Sequence, residues 1–337
     1  YPDDGNPNAS TGDEGRDLSF AVRGIGFISP DAPTIDSIEP GNAQATVSFT
    51  PGEDNGSPIT GYRYIKDDGS ATSTIFGATG SRPLEITIET SGNVYATNSR
   101  SDTVSKITPG GISAILGATG DNPKGIAIDA AGNVYTANYS SNDVSKISPA
   151  GISTILGTTG SRPHGIALDA AGNVYTANVV SNNVSKITPD GISIILGTTG
   201  SAPFEIALDA AGNVYTANSD SDNVSKITPA GTSIILGTTD NSPMGIALDA
   251  AGNVYTANSG SNNVSKITPA GDSIIFGTTG SGQLAIALDA SGNVYTVNGN
   301  DNNVSKITSG GISTILGPTG SSPKGIAIDA AGNIYTA

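Results

Sequence analysis

Cysteine is absent from the 337 residues, so neither disulfides nor thiolate metal sites are available to the chain. Tryptophan is absent too, methionine and histidine occur once each, and charged residues make up only 13%. No apolar run approaches the roughly 20 residues that a membrane-spanning helix needs, so membrane insertion is not expected. The shortage of lysine and arginine leaves a net charge of −15. Residues 1–70 hold twelve acids against four bases, and residues 71–337 hold eighteen against eleven. Nucleic acid and anionic lipid are poor partners for such a chain, because both are bound through clustered cations.

What is abundant is turn chemistry. There are 45 glycines and 19 prolines among many Asn, Ser and Thr, which is an all-β composition. From about residue 71 onward the sequence repeats every 40 residues without an insertion. One unit, residues 163–202, reads "PHGIALDAAGNVYTANVVSNNVSKITPDGISIILGTTGSA". It contains four short β-like runs, "GIALDA", "NVYTAN", "NVSKIT" and "SIILGT", separated by turn residues. Four strands in such a period predict one blade of a β-propeller, and helical repeats are excluded by the lack of 3.6-residue periodicity. The alternation of Ala, Thr and Ser with Val, Ile and Leu suits sheets packed on both faces by neighbouring blades.

The units "PxGIALDxxGNVYTAN", at 163–178 and its copies, resemble the NHL-type propeller repeat and, more distantly, the bacterial lyase propellers that inactivate streptogramin antibiotics. The resemblance covers roughly residues 72–337 and implies a propeller used for binding, for scaffolding or as an enzyme. Residues 32–64, "APTIDSIEPGNAQATVSFTPGEDNGSPITGYRY", are similar to the first half of a fibronectin type III domain. The expected organisation is therefore a β segment of unknown type at 1–30, a partial fibronectin-like segment at 31–61 and a propeller at 62–337. The chain begins at Tyr1 rather than Met, which fits a processed or excerpted product.

Six whole blades fit within residues 83–320, leaving "PKGIAIDAAGNIYTA" at 323–337 with two strands only. Counting back by four periods places a fourth strand at 72–77 and a third at 62–67, so a seventh blade built from both ends is expected, with 62–67 antiparallel to 332–336. Closure of that kind leaves no open blade edge.

Two recurring residues invite a functional reading. Glu89, Asp129, Asp169, Asp209, Asp249, Asp289 and Asp329 end the first strand of each unit. They would form a ring of carboxylates able to take a hard cation, or would each cap their own "DAAGN" turn; the second reading is the expected one, so no metal or cofactor is assigned. Lys106, Lys146, Lys186, Lys226, Lys266 and Lys306 are expected to lay their stems on apolar surface and point their heads at a neighbouring acid.

The copies differ from one another mainly in two loops that emerge at one face. Leu84, Lys124, Tyr139, His164, Phe204, Glu205, Met244, Leu284 and Lys324 give that face its variety, and mixed aromatic, apolar and charged groups suit binding. The alternative is drift of exposed loops after duplication. No nucleophile, base and orienting group stand together in the sequence, so no catalytic residues are assigned. The streptogramin-lyase resemblance would need a histidine and an acid on the ligand face, and His164 with Glu205 is the candidate pair. The expected function is an extracellular or cell-surface module that presents the loop face to a protein or carbohydrate. The alternatives are a surface filament assembled through residues 1–30 and a streptogramin-lyase-like enzyme.

Overall fold

The computed structural model describes the strands at 34–41, 44–50 and 61–66 and the chain from residue 72 onward. The chain divides into two units, Tyr1–Ile59 and Thr60–Ala337. In the first, Thr34–Gly41 pairs antiparallel with Gln44–Thr50 as a two-stranded sheet. Those are the only two strands described there, and residues 1–30 lie outside the described residues.

The second unit is an all-β propeller. Each 40-residue period folds into a four-stranded antiparallel sheet in sequence order, and six such blades span residues 83–118, 123–158, 163–198, 203–238, 243–278 and 283–318. We number them 1 to 6. The expected count of seven needs correction: six blades are built from continuous sequence. One more four-stranded sheet is composite, with the order Ile326–Ile328, Ile334–Thr336, Gly61–Lys66, Thr72–Ala78. In it Arg63, Tyr64 and Ile65 pair with Thr336, Tyr335 and Ile334. The strand starts one residue earlier than expected and ends at Lys66.

The physical basis of the repeat is its second strand. "VYTAN" at Val214–Asn218 is buried at every position, and so are its copies. Tyr175, Ala177 and Val184 of blade 3 pack against Ile206, Val214 and Ile227 of blade 4, and equivalent clusters join every adjacent pair. A lone blade would leave these faces wet, at about 1.5–3 kcal/mol for each large side chain. The composite sheet follows the same rule. Ile326 and Ile334 pack on Tyr295, Val297 and Val304 of blade 6. Tyr335 packs with Ile86, Val94 and Ile107 of blade 1.

Buried polar groups in the second strand are satisfied in kind, except Asn98 Oδ1 of blade 1, where Ala96 replaces the threonine donor of the other blades. Asn178 Nδ2 donates to Asn183 Oδ1 and Ser185 Oγ, and Thr176 Oγ1 donates to Asn178 Oδ1. Outer strands differ from the expectation of two-sided burial: Ile194, Ile195, Ile234 and Ile235 are each more than half exposed. The fourth strand lies at the rim: Leu196 still reaches the cluster shared with blade 4, but the isoleucines beside it stay exposed.

Each recurring aspartate is a turn cap, whereas the Glu89 carboxyl accepts only side-chain donors, from Ser91, Asn93 and Tyr95. Asp209 Oδ1 accepts the backbone N–H of Ala211 at 3.0 Å and of Asn213 at 2.8 Å, while Oδ2 accepts Asn213 Nδ2 at 2.7 Å and the Tyr215 hydroxyl at 2.9 Å. Gly212 completes the turn at φ 78°, a region open to glycine. The recurring lysines meet the same tyrosines from the other side. Lys226 Nζ lies 5.4 Å from the Tyr215 ring centroid, and the other five occupy the equivalent place. The expected lysine–acid pair is thus an acid–tyrosine–lysine unit, in which the tyrosine face receives the cation.

Partial burial works to raise the pKa of Asp209, but the hydrogen bonds from Asn213, Tyr215 and Ala211 outweigh it and leave the carboxyl below its usual range. Asp129, Asp169, Asp249 and Asp289 are held down in the same way. A depressed folded-state pKa gives stability that is present above the unfolded value and lost as pH falls through the folded one. The propeller should therefore lose stability as pH drops below the ordinary aspartate value of 3.8. Asp209→Ala should cost about 1–3 kcal/mol at neutral pH and progressively less in acid, checked by denaturant melts across pH.

Candidate functional site

The first strands of successive blades touch one another around the ring and line its axis. Entry into each of them is set by a left-handed residue just before the strand: Arg82, Asn122, Arg162, Ala202, Ser242, Gly282 and Ser322 all have φ between 50° and 75°. Such a backbone is costly for a residue with a side chain and has to be held. It is held by the preceding blade. Asp102 Oδ1 accepts the N–H of Asn122 at 2.8 Å, Asn142 Oδ1 that of Arg162 at 2.7 Å and Asn182 Oδ1 that of Ala202 at 2.9 Å. Asp222 and Asn302 do the same for Ser242 and Ser322. The loops that vary most between copies thus contain a recurring clasp, an Asn or Asp every 40 residues from Asp102 to Asn302, with Tyr62 in its place before Arg82.

That geometry delivers the second strand residue of each blade to one mouth of the axis. Lys124, His164, Phe204, Met244 and Leu284 share this register position on blades 2 to 6, with Leu84 on blade 1 and Lys324 beside Ile326–Ile328 of the composite sheet. All seven are half-buried. The structure brings a subset into contact. His164 and Phe204 rings lie 4.0 Å apart at 40°, and Tyr139, from the loop between the second and third strands of blade 2, meets His164 edge-on at 6.5 Å. Lys124 Nζ and the Arg162 guanidinium lie 5.3 and 5.5 Å from the Tyr139 centroid. Met244, Leu284, Leu84 and Lys324 share the ring position without joining this cluster.

The third residue of the first strand faces the next blade at close range. It is glycine at 125, 165, 245 and 325. A methyl added at Gly125 would sit 2.5 Å from the His164 carbonyl oxygen, and one at Gly165 would sit 2.5 Å from Glu205 Oε1 and 2.8 Å from Glu205 Cα. Three blades depart from this pattern, blade 6 with Ala285 and blades 1 and 4 with Glu85 and Glu205; the two glutamates add a carboxyl. Each keeps some solvent-facing surface yet is enclosed by protein, as a group in the wall of a narrow channel is. Burial pushes Glu205 up to about 7, against a weak hydrogen bond from the Ile206 amide at 3.2 Å. Burial first, and then the charge of Glu205, raise Glu85 well above the ordinary carboxylate range.

His164 titrates in the opposite sense. Burial, reinforced by the Lys124 charge, drives its pKa down to about 3, so the ring is neutral in the physiological range. Its Nδ1 is buried without a hydrogen-bond partner. The expected His164–Glu205 pair is thus placed on adjacent blades, but Nδ1 takes no bond from Glu205. Sequence reasoning missed Glu85, Arg82 and Arg162. For Glu85 the signal was present, since a charged residue stands where four copies have glycine. Among the described residues no group of three or more His, Asp or Glu is arranged to hold a metal ion.

Known structures share this architecture. Virginiamycin B lyase from Staphylococcus aureus matches with a TM-score of 0.66 at 18% identity, over 82% of this chain and 97% of that one. A catalytically inactive histidine-to-alanine variant of that lyase with quinupristin matches at 0.68 and 20%, over 81% and 97%. The Kuenenia stuttgartiensis hydrazine synthase matches at 0.65 and 17%, over 76% and 92%. At these identities the likeness shows the fold. No curated relative matches the sequence. The virginiamycin B lyase family model matches residues 77–337, so it is the second of the two resemblances, rather than the NHL-type repeat, that is supported. Over its propeller, the chain belongs to the virginiamycin B lyase family.

Proposed function

We propose that the propeller binds a small ligand at the axial mouth where the second strand residues converge. The observation that carries this reading is the stack of neutral His164 on Phe204, flanked by Tyr139 with its two cations and set above Glu205. Groups with strongly displaced pKa values collect at functional sites, and three of them, His164, Glu85 and Glu205, are gathered here. An aromatic floor with few polar anchors is the usual make-up of a small-molecule site. The composite sheet serves, on this reading, as the seventh blade that closes the ring and fixes the mouth. Its packing against both blade 6 and blade 1 supports that role.

A second reading is favoured by family membership: lyase chemistry on a streptogramin-like cyclic peptide. Glu205, with a pKa of about 7, is better suited to move a proton than His164 at about 3, since a general base works best near the operating pH. A heat-stability screen of small molecules, with quinupristin included, separates the readings. Binding should raise the melting temperature and be lost in His164→Ala/Phe204→Ala, whose own melting temperature should move by less than about 2 °C because both side chains sit at the mouth. Ring-opened quinupristin seen by mass spectrometry, and lost in Glu205→Gln, would select the enzyme reading. Affinity unchanged in the double variant would sink the mouth as the site.

A further inference from the structure

The mouth is electrically lopsided. Residues 71–337 carry eleven cations, of which six are the recurring lysines already committed to tyrosine rings. The remaining five are Arg82, Arg100, Lys124, Arg162 and Lys324. All five fall on the loop-and-mouth side of blades 1, 2 and 3 and the composite sheet, and blades 4, 5 and 6 contribute none. Opposite them, blades 4, 5 and 6 place Phe204, Met244 and Leu284 at the same register position.

Resting on the mouth-binding reading above, we infer that the ligand is an amphipathic anion: its acidic group sits among Arg82, Lys124 and Lys324, and its apolar body lies across Phe204 toward Met244 and Leu284. The fold leaves these cations without a counter-charge, although Lys124 also lies over the Tyr139 ring. Among the described residues, none of these three is in an ion pair, although the chain as a whole is strongly acidic. Lys124 and Lys324 are both held below the usual lysine range, by burial first and then by the charge of Arg82, so both lysines sense Arg82 across neighbouring blades. Like charges gathered and partly desolvated without a counter-ion cost stability, offset only in part by the Tyr139 ring at Lys124, and an anion relieves that cost.

The acids nearby do not supply the partner. Asp102 and Asp143, in the loops of blades 1 and 2, accept hydrogen bonds from the Asn122 amide and from Asn138 and Ser141. Glu85 and Glu205 lie one residue deeper, and the same burial that raises their pKa would strip hydration from an acidic group pushed down the axis. The acidic end of a ligand is thereby kept at the rim, and its orientation is fixed.

Phenylpropionate, phenylpropanol and phenylpropylamine form a matched set of probes, titrated by calorimetry into the whole chain at low and high salt. Phenylpropionate should bind at least about tenfold more tightly than the other two, with the preference shrinking at high salt. Lys124→Met/Lys324→Met should erase the preference, and should fold, because Met244 occupies the same position naturally. Phe204→Ala should weaken all three probes. Tightest binding of the amine would overturn the inference and assign selection to Glu85 and Glu205. Equal binding of all three would overturn charge selection while leaving the mouth as a site. Failure of phenylpropionate to bind would also overturn the inference; the mouth reading itself fails only if the wider screen finds nothing sensitive to His164 and Phe204.

Discussion

Removal of residues 325–337 is expected to unfold the propeller rather than merely fray one edge. Those residues carry Ile326, Ile334 and Tyr335, which are 6%, 0% and 6% exposed. Burial of each contributes about 1.5–3 kcal/mol, so their joint loss approaches the roughly 5–15 kcal/mol by which a domain is stable at all. The damage does not stop there. Tyr295, Val297 and Val304 of blade 6 and Ile86, Val94 and Ile107 of blade 1 would lose their cover. Gly61–Lys66 would lose its partner strand and become an open edge. Circular dichroism melts and size-exclusion chromatography check this, with Gly320→Ala as a control whose added methyl meets nothing within 4 Å. A truncated chain that melts cooperatively within a few degrees of the intact one would show that blades 1 and 6 do not depend on the composite sheet. A synthetic peptide of residues 325–337 should restore the melt if the strands dock as described.

Most of this architecture was legible because a propeller is nearly one-dimensional. Each blade touches only its neighbours, so the same contacts recur at the same spacing and the sequence repeats with them. "VYTAN" is buried throughout blades 2 to 5, and its uniformity there advertises that. The pairing of Gly61–Lys66 with Ile334–Thr336 was reachable by counting periods, even though Tyr62, Tyr64 and Asp67 do not look like their counterparts. What could not be read were contacts between blades made by residues that look unremarkable along the chain. Asn142 bonding the Arg162 amide joins residues twenty apart through a left-handed backbone, and a variable loop conceals it. Lys226 reads as the partner of an acid because charge is visible in a sequence, whereas a ring face opposite it in register is not. The exposed isoleucines of the outer strands follow from their place at the rim, which periodicity alone does not give.

The candidate site was legible only in part, and the missing part leads to a second large effect. His164, Phe204 and Tyr139 stood out by differing from their copies, and they do meet. Glu85 and Glu205 belong together through space, three blades apart, which no local pattern reveals. Because burial raises the folded-state pKa of Glu205 from 4.5 to about 7, the sign of its effect is opposite to that of the capping aspartates. Below the unfolded value both states hold the proton and the group is neutral to stability. Between 4.5 and about 7 the unfolded chain releases a proton that the folded chain keeps, so stability falls as pH rises, and above that window the folded chain bears a buried charge. Glu205→Gln should therefore leave the melting temperature nearly unchanged at about pH 4.5 and raise it at about pH 8, by an amount equivalent to roughly 2–3 kcal/mol. The gain should exceed what one group explains, since removing the Glu205 charge also lets Glu85 ionise more readily. Glu85→Gln/Glu205→Gln should then add less than the sum of the two single changes. Thermal melts of the four proteins across pH decide it: a Glu205→Gln variant less stable than the parent at about pH 8 would mean that the carboxylate is paired in the folded chain, and that the throat is not the low-dielectric site described above.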